Sequence, residues 1–530
     1  MANLSSQISE LVALAQSDIN LAKARFRQFP FAEISHKEDF LQFGQLALRL
    51  GFVAAAKQVF EKAIVSFPKE SPLYNNLGVA FLNLNELEKA KAQFEQALSL
   101  QADYAVAMVN LAALLEREGD LLKAKALYEQ AVLVSPEQIH AWVRLAFLAQ
   151  KENATHDFNR CFERAHQINP EFPDVLHLQS IRLQSQKQFD DALRVIDQAI
   201  QKKSVPVFLF HKALLLEKLN RFEEAWKFFT QANAQLETPP DAIKQALLRS
   251  DQDLVNWYKS LSVDFFQNND IDSKQEHNWL FVLSTPRSGT TLLCEMLGAH
   301  SAFQNHGELR VFQELYVKAI NHLGCGDNMP LLASELWKNK NQSLQNFVRA
   351  EYQKLISDIS FDSNKIWHID KGIMNVFYLP LIRFVCPHAK FVHLVRDGRE
   401  VAVSIYRQNF KEAFWFQTDP NDAMLYWASV QRLASHMAPL LSQDFVPLKY
   451  EDLVVSPTET LSAVLNLMNL EFQDSCLRFY ENSGFVNTAS HEQVRQQLNQ
   501  SGMAFAENNY PDVWNRLGQG HEQVLKESGY

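Results

Sequence analysis

The sequence predicts a multidomain chain with an N-terminal all-α solenoid and a C-terminal α/β domain whose sheet is mainly parallel. Three observations carry that prediction. A 34-residue pattern recurs through the first half. A strand, a tight loop and a helix follow one another from Trp279 onward. Sixteen glycines in 530 residues is under half the usual share of about 7%, which favours helices over loop-rich β folds. An apolar content of 47% and a charged content of 21% are those of a folded chain.

The repeat comes first. Shifting Tyr74–Asp103 by 34 residues lands on Met108–Glu137 without a gap. Asn76 meets Asn110, Ala90 meets Ala124, Phe94 meets Tyr128 and Ala97 meets Ala131. The same step backward reaches Gly44, Phe60 and Ala63; forward it reaches Ala146, Phe162, Ala165, Pro170, Ala192 and Ala199. A further unit, 207–236, keeps the pattern with a one-residue slip. Small residues at 44, 78, 112 and 146 let the second helix of each pair approach the first, and the aromatics fill the space between units. Pro136 and Pro170 end second helices, because proline cannot continue one. This pattern resembles the tetratricopeptide repeat, most closely over Phe40–Glu171. The resemblance implies a stack of helix pairs whose concave face binds a peptide or protein, either an acceptor or a partner.

Past Glu237-Thr-Pro-Pro240 the period stops, and a polar helical connector is expected from Asp241 to Glu276. The boundaries read as a helical lead-in at 1–35, the solenoid at 36–236, the connector at 237–276 and the second domain at 277–530.

That domain opens on Trp279-Leu-Phe-Val-Leu283, a buried strand, then Ser284-Thr-Pro-Arg-Ser-Gly-Thr-Thr291, then an amphipathic run from Leu292 to His300. Backbone amides of such a loop and the helix N-terminus converge on one anion. A triphosphate-binding loop of the form G-x-x-x-x-G-K-[ST] would need glycine at 284 and lysine at 290. The chain has Ser284 and Thr290, and its cation is Arg287. A kinase or nucleotide hydrolase is therefore the second reading, not the first.

Thr285-Pro-Arg-Ser-Gly-Thr-Thr-Leu292 resembles the 5′-phosphosulfate loop of sulfotransferases that use 3′-phosphoadenosine 5′-phosphosulfate (PAPS), tyrosylprotein sulfotransferases in particular. The resemblance makes Pro286, Arg287, Ser288, Gly289, Thr290 and Thr291 donor-binding residues. Ala389-Lys-Phe-Val-His-Leu-Val395, a buried strand running into Arg396-Asp-Gly-Arg399, looks like the family's 3′-phosphate site. There an arginine and a serine eight residues on grip one phosphate, and Arg396 and Ser404 stand at that spacing. A guanidinium suits the task because its fork donates two parallel hydrogen bonds. Arg407 lies one residue short of a further family arginine. Phe445-Val-Pro-Leu-Lys-Tyr-Glu-Asp-Leu453 resembles the strand whose tyrosine borders the nucleotide, here Tyr450. Ser456 then reads as a helix N-cap with Pro457 at the first position and Glu459 reaching back. Arg495 and Ser501 match the tail segment that closes over the nucleotide in bacterial members, although Gly502-Met-Ala-Phe505 lacks their usual tryptophan.

Sulfuryl transfer needs a base for the acceptor, cations at the leaving oxygen and anion sites for two phosphates. Gln304-Asn-His-Gly-Glu-Leu-Arg310 resembles the family segment holding the base, which makes Glu308 the first choice. His306 is the alternate, since an ordinary imidazole titrates near neutrality. Lys365-Ile-Trp-His-Ile-Asp-Lys371 reads as a strand that delivers Lys371, which with Arg287 would meet the leaving-group charge. No cluster has metal-ligand spacing, so no metal is expected.

The implied function is transfer of a sulfuryl group from PAPS to an acceptor hydroxyl, with a peptide tyrosine favoured over a carbohydrate or small molecule. An inactive scaffold is a third reading. A net charge of −10 argues against a nucleic-acid binder. Five scattered cysteines without a C-x-x-C pair point to a reducing compartment. Met1–Gln16 has no basic n-region and no window nears eighteen apolar residues. A cytoplasmic chain without a membrane segment is the expectation.

Overall fold

The computed structural model describes residues 4–266, 277–410, 414–481, 497–498 and 502–530. It divides into two compact units, Met1–Gln186 and Lys187–Tyr530.

The first unit is all helical. Helices Lys37–Leu50 and Val53–Ser66, Ser71–Asn83 and Leu87–Leu100, Ala105–Glu118 and Leu121–Val134, and Ile139–Lys151 and Thr155–Ile168 form successive antiparallel pairs. Phe60, Phe94, Tyr128 and Phe162 are buried in one continuous apolar core, as the spacing predicts. A side chain at Gly78 would put its Cβ 2.6 Å from the Phe94 ring, so the helices of that pair can close only over glycine. Each turn inside a pair needs one left-handed residue, and these recur with the repeat: Gly51, Asn85, Gly119, Asn153, Lys187 and Asn220. The last step is 33 rather than 34, which is the one-residue slip seen in the sequence.

The second unit begins with the remaining repeat helices, Phe189–Lys202, Pro206–Lys218 and Phe222–Asn233, and continues through helix Asp241–Lys259. Next comes a five-stranded parallel sheet, built from β1 (Asn278–Leu283), β2 (Phe303–Asn305), β3 (Trp367–Asp370), β4 (Lys390–Val395) and β5 (Phe445–Lys449). The order across the sheet is β2-β3-β1-β4-β5. β1 lies between β3 and β4, so the chain switches direction across the sheet at β1, and the crevice at its C-terminal end is where such folds bind ligands. Both faces are covered, which explains why β1 and β4 read as near-continuous apolar runs.

Several expected elements differ in extent. The stretch Arg396-Asp-Gly-Arg399 is partly helical, since helix Gly398–Tyr406 begins inside it. β3 is shorter than the stretch 365–371, and the strand expected through Leu453 ends at Lys449, where helix Tyr450–Val455 begins. Ser456 is the N-cap residue and Pro457 opens helix Pro457–Asn466, as the sequence predicts, but the capping-box side-chain hydrogen bond does not form. Ser456 already closes the preceding helix, its amide donating to the Asp452 carbonyl at 2.8 Å, and its backbone is turned away from capping geometry. No helix among the described residues is long and apolar enough to cross a membrane.

Candidate active site

Every strand of the sheet delivers a candidate residue at its C-terminal end. β1 leads into the loop at 284–289, β2 into Glu308, β3 into Lys371, β4 into Arg396 and β5 into Tyr450. Parallel strands make this possible, because all five C-termini then lie on one edge.

The loop after β1 is pinned from within and from below. Ser284 Oγ donates to the Leu394 carbonyl of β4 at 2.5 Å, and the Thr285 and Ser288 hydroxyls meet at 2.6 Å. Arg287 (φ +69°) and Gly289 (φ +95°) are both left-handed and turn the chain into helix Thr290–Gly298, whose first turn no side chain caps. Glycine is required at 289 twice over, since any Cβ would also lie 2.3 Å from the Tyr450 ring. Arg287 bears a side chain in the same unfavourable region, and its Nε donates to Ser404 Oγ at 3.0 Å.

Arg396 joins this cluster. One terminal nitrogen donates to the Arg287 carbonyl at 3.1 Å, the other to the Gly502 carbonyl at 2.6 Å, and the guanidinium lies 4.6 Å from the centre of the Tyr450 ring. Burial, then the nearby charges of Arg396 and Arg407, bring the Arg287 pKa down to about 10. It stays charged at neutral pH, in a positive field that an anion would relieve.

The structure brings Arg287, Ser288, Gly289, Arg396, Ser404 and Tyr450 together through these contacts. Pro286, Thr290 and Thr291 follow from the same loop and helix start, all buried. Arg407 instead forms a bidentate pair with Glu217 on repeat helix Pro206–Lys218, its Nε donating at 2.6 Å. Arg495 and Ser501 lie outside the described residues.

Glu308 sits at the other end of the edge, with a half-exposed side chain paired to the buried Lys371 at 2.8 Å. The residues on either side of it are fixed. Gly307 donates its amide to Asn305 Oδ1 at 3.0 Å and accepts from the Lys371 amide at 2.9 Å. The Leu309 amide donates to Asp370 Oδ1 at 3.3 Å. Asp370 also accepts from the Gly372 amide and Asn375, yet burial still raises its pKa to about 6.

His306 is turned elsewhere. Its ring contacts His368 Nδ1 at 3.0 Å and packs near Trp279 and Phe361, against the early residues of β1 and β3. Burial and the neighbouring His277 hold its pKa down to about 4, so it is neutral and a weak base.

Three residues that matter were not anticipated. Asp370 and Asn305 hold the Glu308 loop. Buried Glu400 accepts from Arg396 at 3.4 Å and from the Ala506 amide at 2.8 Å, tying the C-terminal segment to the β4 end. Only the acidic residue four positions after Arg396 could have signalled the last of these. Among the described residues no group of three or more His, Cys, Asp or Glu side chains is arranged to hold a metal ion.

Residues 280–474 match the sulfotransferase family, and residues 71–104, 105–138 and 178–236 match tetratricopeptide repeats. The chain carries a sulfotransferase-family domain behind tetratricopeptide repeats. An uncharacterised protein of Aquifex aeolicus is 26% identical over 346 residues, 62% of this chain and 43% of that protein. The chain thus matches less than half the length of that relative. Protein-tyrosine sulfotransferase 1 of Danio rerio is 24% identical over 257 residues, 48% of this chain and 69% of that one. The sulfotransferase domain of the Synechococcus PCC 7002 olefin synthase is a solved structure with 20% identity and a TM-score of 0.33, covering 48% of this chain and 95% of that domain.

Proposed function

We propose that the sulfotransferase domain takes its sulfuryl group from PAPS and passes it to an acceptor hydroxyl, with a peptide or protein tyrosine as the favoured acceptor. The observation that carries this reading is the pairing of two sites on one sheet edge: a cluster of guanidiniums and hydroxyls after β1 and β4, and a carboxylate–ammonium pair after β2 and β3. The donor set fits such a nucleotide. Arg287 is destabilised as a cation by burial and then by its arginine neighbours, and a dianionic phosphate would offset that penalty.

The donor supplies the sulfuryl group and a phosphate leaving group; the protein's residues position and stabilise. Arg396 and Ser404 would hold the 3′-phosphate, with Tyr450 bordering the nucleotide. The loop from Pro286 to Thr291 and the start of its helix would hold the 5′-phosphate. Arg495 and Ser501 would complete the enclosure. Glu308 would take the acceptor's proton as its oxygen bonds to sulfur, and the bond to the leaving oxygen breaks with its electron pair going to that oxygen. Lys371 and Arg287 would meet the charge that develops there. The half-exposed carboxylate beside a buried ammonium supports this division of labour: Glu308 faces an incoming acceptor while Lys371 is fixed below it. The tyrosine preference draws support from the protein-tyrosine sulfotransferase relatives. The repeats would recruit the acceptor or a partner chain on their concave face. All five cysteines are free thiols, in keeping with a cytoplasmic setting.

The test is transfer of isotopically labelled sulfate from PAPS to a panel of tyrosine peptides, phenols and sugars. A Glu308→Gln variant should lose transfer but keep binding 3′-phosphoadenosine 5′-phosphate. Transfer undiminished in that variant would refute the assignment of the base.

A further inference from the structure

The charges of Arg396 and Arg407 both reach Arg287, and Arg407 is engaged by a residue from outside the region 280–474 that matches the sulfotransferase family. Arg407 follows Ser404 by three residues at the end of helix Gly398–Tyr406, which sets both on one face. Ser404 receives the Arg287 Nε, and the Arg407 charge contributes to depressing Arg287. Arg407 therefore stands within the field of the anion site. Its fork is closed in bidentate fashion on Glu217, which is carried by repeat helix Pro206–Lys218. The Glu217 side chain is only 7% exposed, and it accepts a further hydrogen bond from Tyr510 Oη at 2.5 Å.

We propose that Glu217 competes with the donor nucleotide's 3′-phosphate for Arg407, so that a helix of the repeat array sets the affinity of the nucleotide site. A carboxylate and a phosphate offer a guanidinium fork the same pair of oxygens, and Arg407 can satisfy only one of them in full. Linkage makes the effect reciprocal: a repeat helix displaced by its own partner frees Arg407 for phosphate, and a bound phosphate loosens the hold on Glu217. This inference rests on the nucleotide reading given above.

The experiment is calorimetric titration of the full chain with 3′-phosphoadenosine 5′-phosphate and with AMP, which lacks the 3′-phosphate. Removing the competing charge in Glu217→Gln should tighten the bisphosphate about five- to tenfold and leave AMP unchanged. Arg407→Ala should weaken the bisphosphate and leave AMP unchanged. Tyr510→Phe keeps the ion pair and should stay within about twofold of wild type for both ligands. Should Glu217→Gln fail to fold, Glu217→Asp, which shortens the reach, should tighten the bisphosphate in the same direction. A folded Glu217→Gln that binds the bisphosphate no better than wild type overturns the proposal and leaves Glu217 as a packing bridge. A wild type that does not prefer the bisphosphate over AMP overturns the nucleotide reading itself, and the competition with it.

Discussion

Glu308 is held by its neighbours more than by its own side chain. Gly307 and Leu309 are both anchored, and Lys371 is the ion-pair partner of the carboxylate among the described residues. Glu308→Gln should lower kcat about 100- to 10,000-fold, the usual worth of a general base, with nucleotide affinity retained in titration. His306 should behave in the opposite way. An ordinary imidazole titrates near 6.5, whereas burial and then His277 hold His306 down to about 4, and burial, then His306 and His277, hold His368 down to about 4. Between those values the unfolded chain binds protons that the folded rings refuse, so stability falls as pH drops from about 6.5 toward 4. His306→Gln should flatten part of that fall in melting temperature and keep transfer activity; His211 and His393, also held at about 4, should account for a further part. A variant with the wild-type acid slope and no activity would restore His306 as the base. The sequence could name Glu308 through its motif but could not choose between it and His306. The two lie two residues apart, and only the register of β2 against β3 shows that the histidine faces an aromatic cluster.

Turns and loops at the scale of elements depend on left-handed residues, and these were partly legible. Gly51 and Gly119 announce themselves, and Asn85, Asn153 and Asn220 are tolerable there. Lys187 is not, since a lysine gains nothing from that conformation. Lys187→Gly should raise stability by about 0.5–1 kcal/mol in chemical denaturation, whereas the same change on a helix face would lower it. Gly289→Ala should act on binding instead. It forces a Cβ into the Tyr450 ring at positive φ, and bisphosphate affinity should drop about tenfold or more by calorimetry. β2 escaped the sequence because three residues carry no period, and its existence depends on pairing with β3. The missing side-chain bond of the Ser456 cap has the same origin: the preceding helix already uses the Ser456 amide.

At the scale of the whole molecule, the sequence separated the repeats from the sulfotransferase domain by period alone. The compact units divide elsewhere, after Gln186, because the last repeat helices are packed into the second unit. Trp226 lies against Tyr406 and Tyr510, and Asn233 donates to the Tyr406 carbonyl at 2.9 Å. A period reports which residues form similar helices, not which surfaces they meet, so this joint was invisible in one dimension. Charge tells a similar story. A net charge of −10 gives no hint of two arginines, Arg287 and Arg396, drawn together at one sheet edge. The measurement that tests the central claim most directly is calorimetric titration of wild type and Arg396→Ala with 3′-phosphoadenosine 5′-phosphate, ADP and ATP–magnesium. The account predicts binding of the bisphosphate in preference to both, with that preference abolished in the variant. Binding of ATP–magnesium alone, or bisphosphate binding that survives the loss of Arg396, would contradict it.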